Sequence, residues 1–247
     1  MKKLLTAALA LGFVFLVGCV TPPSLQTPRP LAPGEAEVGV HGTALFPPLV
    51  YGEEQLEGLD EVPELLGSPS FSARVGVIDH LELGATVGPI GAYGVVKYGI
   101  LPYESPLQIS ALAGYGRWGV VFIPGFLLPD DAELQLNFPS WDIGVLAGYD
   151  VLPELSVYGG ARQYWIGQEG EPPIGRFALT NAIAGVELLP NRRISFPIEL
   201  NVGILNAADA VLGALDSFGA DVSDTESPPE DVFILWPSVN MGLTIHF

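Results

Sequence analysis

Apolar and polar residues alternate along most of the chain after about residue 34, and this period of two predicts β-strands instead of helices. The alternation is clearest at the C-terminus, where the apolar positions are Val239, Met241, Leu243, Ile245 and Phe247. The same alternation recurs at 81–87, 107–114, 155–162 and 194–203, and each of these segments directly follows a short turn. The chain therefore carries a hairpin-like unit that is repeated with variation.

The repeated units predict ten strands. Each of the four strands after a turn is preceded by another, and two more strands begin and end the set. These remaining six lie at 35–46, 69–78, 91–100, 139–150, 176–189 and 232–247. Eight to twelve strands are possible, because Val120–Ile123 can form or extend a strand. The number of strands is even, and their lengths are close to the roughly 9–11 residues that a strand needs to cross a bilayer. Together these features predict an all-β, antiparallel up-and-down transmembrane β-barrel over 35–247.

The connections between the predicted strands alternate in length, as they do in outer-membrane barrels. Short turns lie near 79–80, 101–106, 151–154 and 190–193, and long loops lie near 47–68, 117–138, 165–175 and 206–231. This arrangement places the N- and C-termini together on the side of the short turns, which we expect to be periplasmic. Aromatic residues near strand ends, among them Tyr164 and Trp236, are expected to form girdles at the membrane interfaces.

Composition separates the acidic residues from the apolar ones. The 247 residues carry a net charge of −18 and are 49% hydrophobic, and 18 of the 28 acidic residues fall in the four long loops. So acidic a chain excludes nucleic acid as a partner. The loops are expected to form a solvated acidic rim. Divalent cations are possible partners there, although no spacing matches a twelve-residue calcium loop.

The first residues form a targeting signal. A positive start is followed by an apolar stretch at 4–17 and then by Leu16-Val17-Gly18-Cys19, which contains the only cysteine of the chain. This motif resembles the lipobox of bacterial lipoproteins, and the alternative is an ordinary signal peptide. The resemblance implies a signal peptide at 1–18, lipidation of Cys19 and the lipoprotein-sorting machinery as a partner. It also implies the outer membrane as the location, because Val20 stands where an Asp often retains lipoproteins at the inner membrane. Residues 19–34 are expected to be a proline-rich tether.

The C-terminal alternation that ends in Phe247 resembles the assembly signal of bacterial outer-membrane β-barrel proteins. The resemblance implies that Val239, Met241, Leu243, Ile245 and Phe247 are recognised by the barrel-assembly machinery and that the barrel is surrounded by outer-membrane lipid. The alternative is an edge strand of a soluble sandwich.

If the apolar residues face lipid, the opposite face of the strands carries charge into the lumen. The charged residues predicted to face the lumen are Arg74, Glu82, Lys97, Asp142, Arg162, Glu187 and Glu199, and Gln108, Asn201 and Asn240 join them. Buried charges are costly unless they are paired or hydrated. They form either a salt-bridged plug that supports the wall or the lining of a narrow polar pore.

The sequence offers no catalytic or metal-binding motif. The three histidines, His41, His80 and His246, show no metal-ligand spacing, and neither a nucleophile elbow nor a glycine-rich phosphate loop is present. An outer-membrane protease or lipid-modifying enzyme is an alternative, but no histidine falls on the predicted outer rim. We therefore expect a non-enzymatic outer-membrane lipoprotein without cofactor or metal, with a structural or surface role.

Two alternatives to this structural role remain. One is a narrow pore for small solutes or ions. The other is a soluble, lipid-anchored barrel that binds an apolar ligand inside, as lipocalins do. The second alternative requires the apolar set, for example Leu81, Leu83, Leu243 and Ile245, to point inward.

Overall fold

The computed structural model describes residues 25–46, 49–51, 66–88, 91–118, 138–166, 177–190, 192–206 and 233–247. The predicted signal peptide, Cys19, Val120–Ile123 and the acidic residues of the long loops lie outside the described residues. No helix in the described part of the chain is long and apolar enough to cross a membrane.

The described residues form one closed antiparallel sheet. Its strands are β1 (Ala36–Leu45), β2 (Leu49–Tyr51), β3 (Leu66–Ile78), β4 (Leu81–Gly88), β5 (Gly91–Gly99), β6 (Leu107–Trp118), β7 (Phe138–Leu152), β8 (Leu155–Ile166), β9 (Phe177–Leu188), β10 (Ile194–Asn206) and β11 (Phe233–His246). Sequential neighbours pair from β3 to β11, and β1 closes the barrel by pairing with both β3 and β11. The short β2 continues β1 along β11. The prediction of a ten-strand, antiparallel, up-and-down barrel is confirmed.

The two ends of the barrel chain meet at one rim. The amide of Ala36 donates to the carbonyl of Phe247 at 3.2 Å, and the amide of Phe247 donates back at 2.8 Å. The described connecting residues 79–80, 100–106, 153–154, 189–190 and 192–193 lie at this same end, which we call the turn rim. An even number of strands requires this meeting, because each strand reverses the direction of the chain.

The two faces of the wall differ in chemistry. Apolar side chains such as Phe71, 57% exposed, and Ile143, 56% exposed, cover the outside. Leu83 and Leu243 are also exposed, whereas the alternate positions point inward and are buried. Because side chains alternate between the faces of a strand, the apolar set faces outward, as a membrane-embedded barrel requires.

The expectation that Tyr164 and Trp236 belong to an interfacial girdle is wrong. Both are buried on the inner face, at 1% and 2% exposed. The reason is strand parity, because Trp165 takes the outward position beside Tyr164 in the alternation of β8. Nearness to a strand end therefore did not decide which face each ring occupies.

The described part of the predicted tether, residues 25–34, lies inside the barrel, and we call it the N-terminal segment. The amide of Gly34 donates to the carbonyl of Gly76 at 2.9 Å at the turn rim. Further inside, Leu25, Gln26 and Thr27 are buried. With prolines at 28, 30 and 33 the segment lacks the amide donors that a central strand needs, so it stays extended and binds lumen side chains instead.

Candidate functional site in the barrel lumen

Four charged side chains form a continuous network near the turn rim. Arg74 pairs with Glu37 and donates from Nε to Oε1 of Glu37 at 2.9 Å. Arg74 Nη1 also lies 3.6 Å from Oε1 of Glu82, and Oε2 of Glu82 lies 2.9 Å from Nζ of Lys97. All four side chains are at most 3% exposed. We call this set the turn-rim network.

The register of the sheet creates the turn-rim network. Glu37 of β1 lies directly opposite Arg74 of β3, and Glu82 of β4 lies directly opposite Lys97 of β5. Directly opposed residues on one face of an antiparallel sheet have Cβ atoms within about 5.5 Å, so opposite charges meet. Pairing at this distance offsets the cost of removing each charge from water.

The N-terminal segment completes this network. Lys97 Nζ donates to the backbone carbonyls of Thr27 and Arg29, both at 3.1 Å. The amide of Leu31 donates to Oε2 of Glu82 at 3.0 Å. The Lys97–Glu82 pair therefore binds the backbone of the segment through one cationic donor and one anionic acceptor.

A second ion pair lies nearer the opposite end of the lumen. Arg162 donates from Nε to Oδ2 of Asp142 at 2.6 Å, and its Nη2 is 2.5 Å from the same oxygen. The guanidinium also lies over the rings of Tyr164 and Tyr93, at 5.2 and 5.9 Å from their centroids. Gly144, which faces Arg162 in the register, leaves room for this side chain, since a Cβ there would collide with it.

The remaining two predicted acids are held by neutral donors. Glu199 accepts from Nδ2 of Asn201 at 2.7 Å and from Nδ2 of Asn240 at 3.4 Å. The hydroxyl of Tyr158 lies 3.5 Å from its other oxygen. Glu187 forms a side-chain hydrogen bond with Ser195. These contacts satisfy carboxylates for which the neighbouring strands provide no directly opposed base.

Apolar side chains fill one side of the lumen between these polar groups. The cluster consists of Tyr93, Val95, Leu112, Leu146, Tyr158 and Ile183, all from β5 to β9. Leu146 is completely buried. The lumen is therefore packed by apolar residues on the β5–β9 side and lined mostly by polar residues on the β1–β11 side, where Trp236 of β11 is buried as well.

The structure buries all seven charged residues that the sequence placed in the lumen, none of them more than 6% exposed. It brings Arg74, Glu82 and Lys97 into one network and pairs Asp142 with Arg162. Gln108, Asn201 and Asn240 are buried as well. Sequence reasoning missed Glu37, although its alternation with Val38 and Val40 was a usable signal.

A serine, a histidine and a glutamate approach one another near the turn rim without forming a usable nucleophile. Ser195 Oγ lies 3.3 Å from Nε2 of His246, and Nδ1 of His246 lies 3.6 Å from Oε2 of Glu37. However, Ser195 is completely buried and its hydroxyl lies 2.5 Å from that of Thr244. Glu37 is also engaged by Arg74. A nucleophile must reach the reacting carbon, and this one cannot.

A cavity of about 440 Å³ lies at the turn rim beside the N-terminal segment. Arg192, Arg193, His246 and Tyr103 contribute to its lining. Within the described residues, no three His, Cys, Asp or Glu side chains are grouped so that they could hold a metal ion. The acidic loops, where divalent cations are possible partners, lie outside those residues.

These features define the class: a closed, antiparallel, up-and-down β-barrel with an apolar exterior and a charged lumen. No family model and no curated protein sequence matches the chain. Among solved structures, Neisserial surface protein A is 12% identical with a TM-score of 0.34, covering 87% of this chain and 97% of its own.

Two further solved structures are similar at the same level. Ail, the attachment invasion locus protein of Yersinia pestis, is 12% identical with a TM-score of 0.34, over 87% of this chain and 99% of its own. The translocator domain of the autotransporter NalP from Neisseria meningitidis is 11% identical with a TM-score of 0.35, over 100% and 98%.

Proposed function

We propose that the protein is a non-enzymatic barrel of the bacterial outer membrane with a structural or surface role. The observation that carries this proposal is the contrast between the two faces of the wall. Phe71 and Ile143 represent 31 exposed large apolar side chains among the described residues, whereas a soluble monomer rarely exposes a contiguous apolar patch of more than a few hundred Å². The lumen in turn holds charges that are paired internally.

The orientation of the faces also argues against the lipocalin-like alternative. That alternative needs the apolar set inside and a polar surface outside. Leu83 and Leu243 are instead exposed, and Arg74, Lys97 and Arg162 are buried. A lumen that contains this much charge does not suit an apolar ligand.

The proposal includes a lipid on Cys19 and a periplasmic turn rim. Leu25 lies beside Gly242, four residues before the end of β11. The six residues from Cys19 to Leu25 can span at most about 20 Å. The four residues from Gly242 to the end of β11 rise only about 13 Å. Cys19 can therefore reach a membrane surface at the turn rim, where a lipid would hold it. Outer-membrane lipid and the lipoprotein-sorting and barrel-assembly machineries are the partners that this proposal implies.

The acidic loops complete the proposal as a solvated rim that faces outward. Since Ala36 and Phe247 meet at the turn rim together with the short turns, the long connections belong to the opposite end. Their mutual repulsion would be reduced by divalent cations, which we propose as partners of low specificity.

Membrane fractionation of the native chain and of Cys19→Ser tests these proposals together. We expect the native protein to incorporate labelled palmitate and to migrate on a gel in a heat-modifiable manner. Cys19→Ser should lose the label yet remain in the membrane fraction, because the apolar wall holds it there. Release of Cys19→Ser into the soluble fraction would show that the barrel does not span the membrane.

A narrow pore is the second candidate, favoured by the polar side chains on the β1–β11 side of the lumen. Planar-bilayer recordings separate the two candidates. A structural barrel closed as described gives no steady conductance in its native form, whereas a permanently open pore gives stable single-channel steps.

A further inference from the structure

The wall of the barrel is shaped to receive the N-terminal segment. Four wall glycines lie where an added Cβ would meet the segment: Gly76 against Ala32, Gly99 against Pro30, Gly148 against Pro28 and Gly242 against Leu25. At Gly99 the added Cβ would lie 2.5 Å from Pro30 Cγ, and at Gly242 it would lie 3.1 Å from Leu25 Cδ1 and closer still to the ring of His41 in the wall. We call these four positions the glycine cradle.

Polar contacts along the cradle bind the backbone of the segment. Lys97 and Glu82 hold the carbonyls of Thr27 and Arg29 and the amide of Leu31, as described above. The Tyr103 hydroxyl lies 3.4 Å from the carbonyl of Leu31. Arg29 pairs with Asp150 at a more exposed position. A cradle and charged anchors together form a built site for an extended, proline-containing peptide.

The segment is nevertheless separate from the sheet. Among the described residues, its β-type pairing with the wall is an isolated bridge between Pro33 and Gly76. The barrel is closed by β1 and β11 without any contribution from residues 25–32. The segment can leave the lumen without breaking an inter-strand hydrogen bond, so its release does not require the sheet to unfold.

A column of polar side chains lies beyond the inner end of the segment. His41 and Thr43 of β1 and Ser238 and Asn240 of β11 each have a buried polar atom without a hydrogen-bond partner among the described residues. Buried polar atoms of this kind are normally satisfied by water. Leu25 contacts the wall at Gly242, at the base of this column.

We propose that the N-terminal segment is a displaceable plug that gates a narrow polar path for water and small ions along β1 and β11. The inference rests on the proposed membrane location of the barrel. The apolar cluster occupies the other side of the lumen, so a path can run on the β1–β11 side, where the buried ring of Trp236 would narrow it. The plug closes this path at the turn rim, and its release opens the path.

Thiol labelling of the full-length chain in membranes measures displacement of the plug. Thr27→Cys reports on the buried segment, and Asp79→Cys at an exposed turn gives the rate for an accessible site. The chain without an added cysteine gives the background. In the otherwise native protein, Thr27→Cys should react much more slowly than Asp79→Cys but should still react to completion. Equal rates, or no reaction at all, would overturn the idea of a lodged and displaceable plug.

Two independent changes should displace the plug. Gly99→Ala with Gly148→Ala fills the cradle and leaves the ion pairs intact, whereas Glu82→Gln with Lys97→Met removes the anchors. Gly42→Ala is the matched control, because nothing lies within 4 Å of its added Cβ. We expect labelling of Thr27→Cys to rise by about tenfold or more, the factor that loss of a hydrogen bond to a charged group implies.

Conductance then tests the gate itself. Both displaced variants should show channel steps in planar bilayers that the native chain and Gly42→Ala lack. Faster labelling without conductance would refute the gate, and unchanged labelling in both variants would refute displacement by the cradle and anchors. Heat-modifiable migration of every variant confirms that the barrel is folded. A wrong membrane proposal would give a different result from a wrong gate, because the native chain itself would then be absent from the membrane fraction.

Discussion

Removal of Arg162 alone is the sharpest test of whether the lumen is packed or hydrated at the level of the Asp142–Arg162 pair. Arg162→Met leaves the Asp142 carboxylate, 1% exposed, without its nearest cation. Breaking a buried ion pair in this way costs about 3–5 kcal/mol. In a hydrated pore the same pair would be screened, and its loss would cost about 1 kcal/mol or less.

The double variant Asp142→Asn with Arg162→Met distinguishes the lone charge from lost packing. It leaves no unpaired charge, so we expect it to be more stable than Arg162→Met even though it carries one more substitution. The difference is the coupling between neighbouring residues, of the order of 0.5–3 kcal/mol. If the double variant is instead less stable than the single one, the cost comes from lost packing over Tyr93 and Tyr164.

Equilibrium unfolding of the barrel in lipid vesicles, followed by tryptophan fluorescence, measures these free energies. The control is Arg192→Met, which removes an exposed pair with Glu154 at 3.8 Å and should cost no more than about 1 kcal/mol. A cost for Arg162→Met as small as that of the control would refute a packed lumen at this level.

Three further changes examine the wall. Val145→Arg, on the outer face near the middle of β7, should lower the free energy of unfolding in vesicles by about 2–4 kcal/mol, whereas Ile100→Arg, near the turn rim, should lower it by about 0–1 kcal/mol. Equal losses for the two variants would argue against a lipid-facing belt. Gly160→Ala, whose Cβ would collide with the backbone of β7, should lower the yield of heat-modifiable barrel, whereas Gly94→Ala, in ordinary contact only, should not. Phe247→Ala should slow assembly in cells while leaving the unfolding free energy in vesicles unchanged, and equal assembly rates by pulse-chase would contradict a role as the assembly signal.

The strands were predictable because each one is read from its own residues. Alternation in β4, β6, β8 and β10, together with the turns before them, was sufficient to count the strands and to predict how they connect. The short β2 was not foreseen, since three residues after two prolines show no period of their own. It forms because β11 is longer than β1 and offers additional pairing positions.

The burial of the N-terminal segment was not predictable from its composition. Proline-rich residues outside a strand pattern indicate an extended chain, and extended is what the structure shows. Where such a chain lies depends on Gly99, Gly148 and Lys97, which are distant in sequence and are brought together only when the barrel closes. Each of these residues has an ordinary interpretation on its own strand, so no local pattern reports the contact.

The charged lumen also bears on how the barrel selects its register. Well-packed apolar residues of similar volume can be as stable as a buried ion pair, so stability alone does not explain charges here. In a wall surrounded by lipid, as we propose for this barrel, an apolar lumen would leave the two faces of each strand nearly equivalent. A slip of one residue moves every side chain of a strand to the other face, and would place Arg74, Lys97 or Arg162 in lipid at a cost of about 2–4 kcal/mol each. The charges therefore penalise the misregistered barrel more than they stabilise the native one.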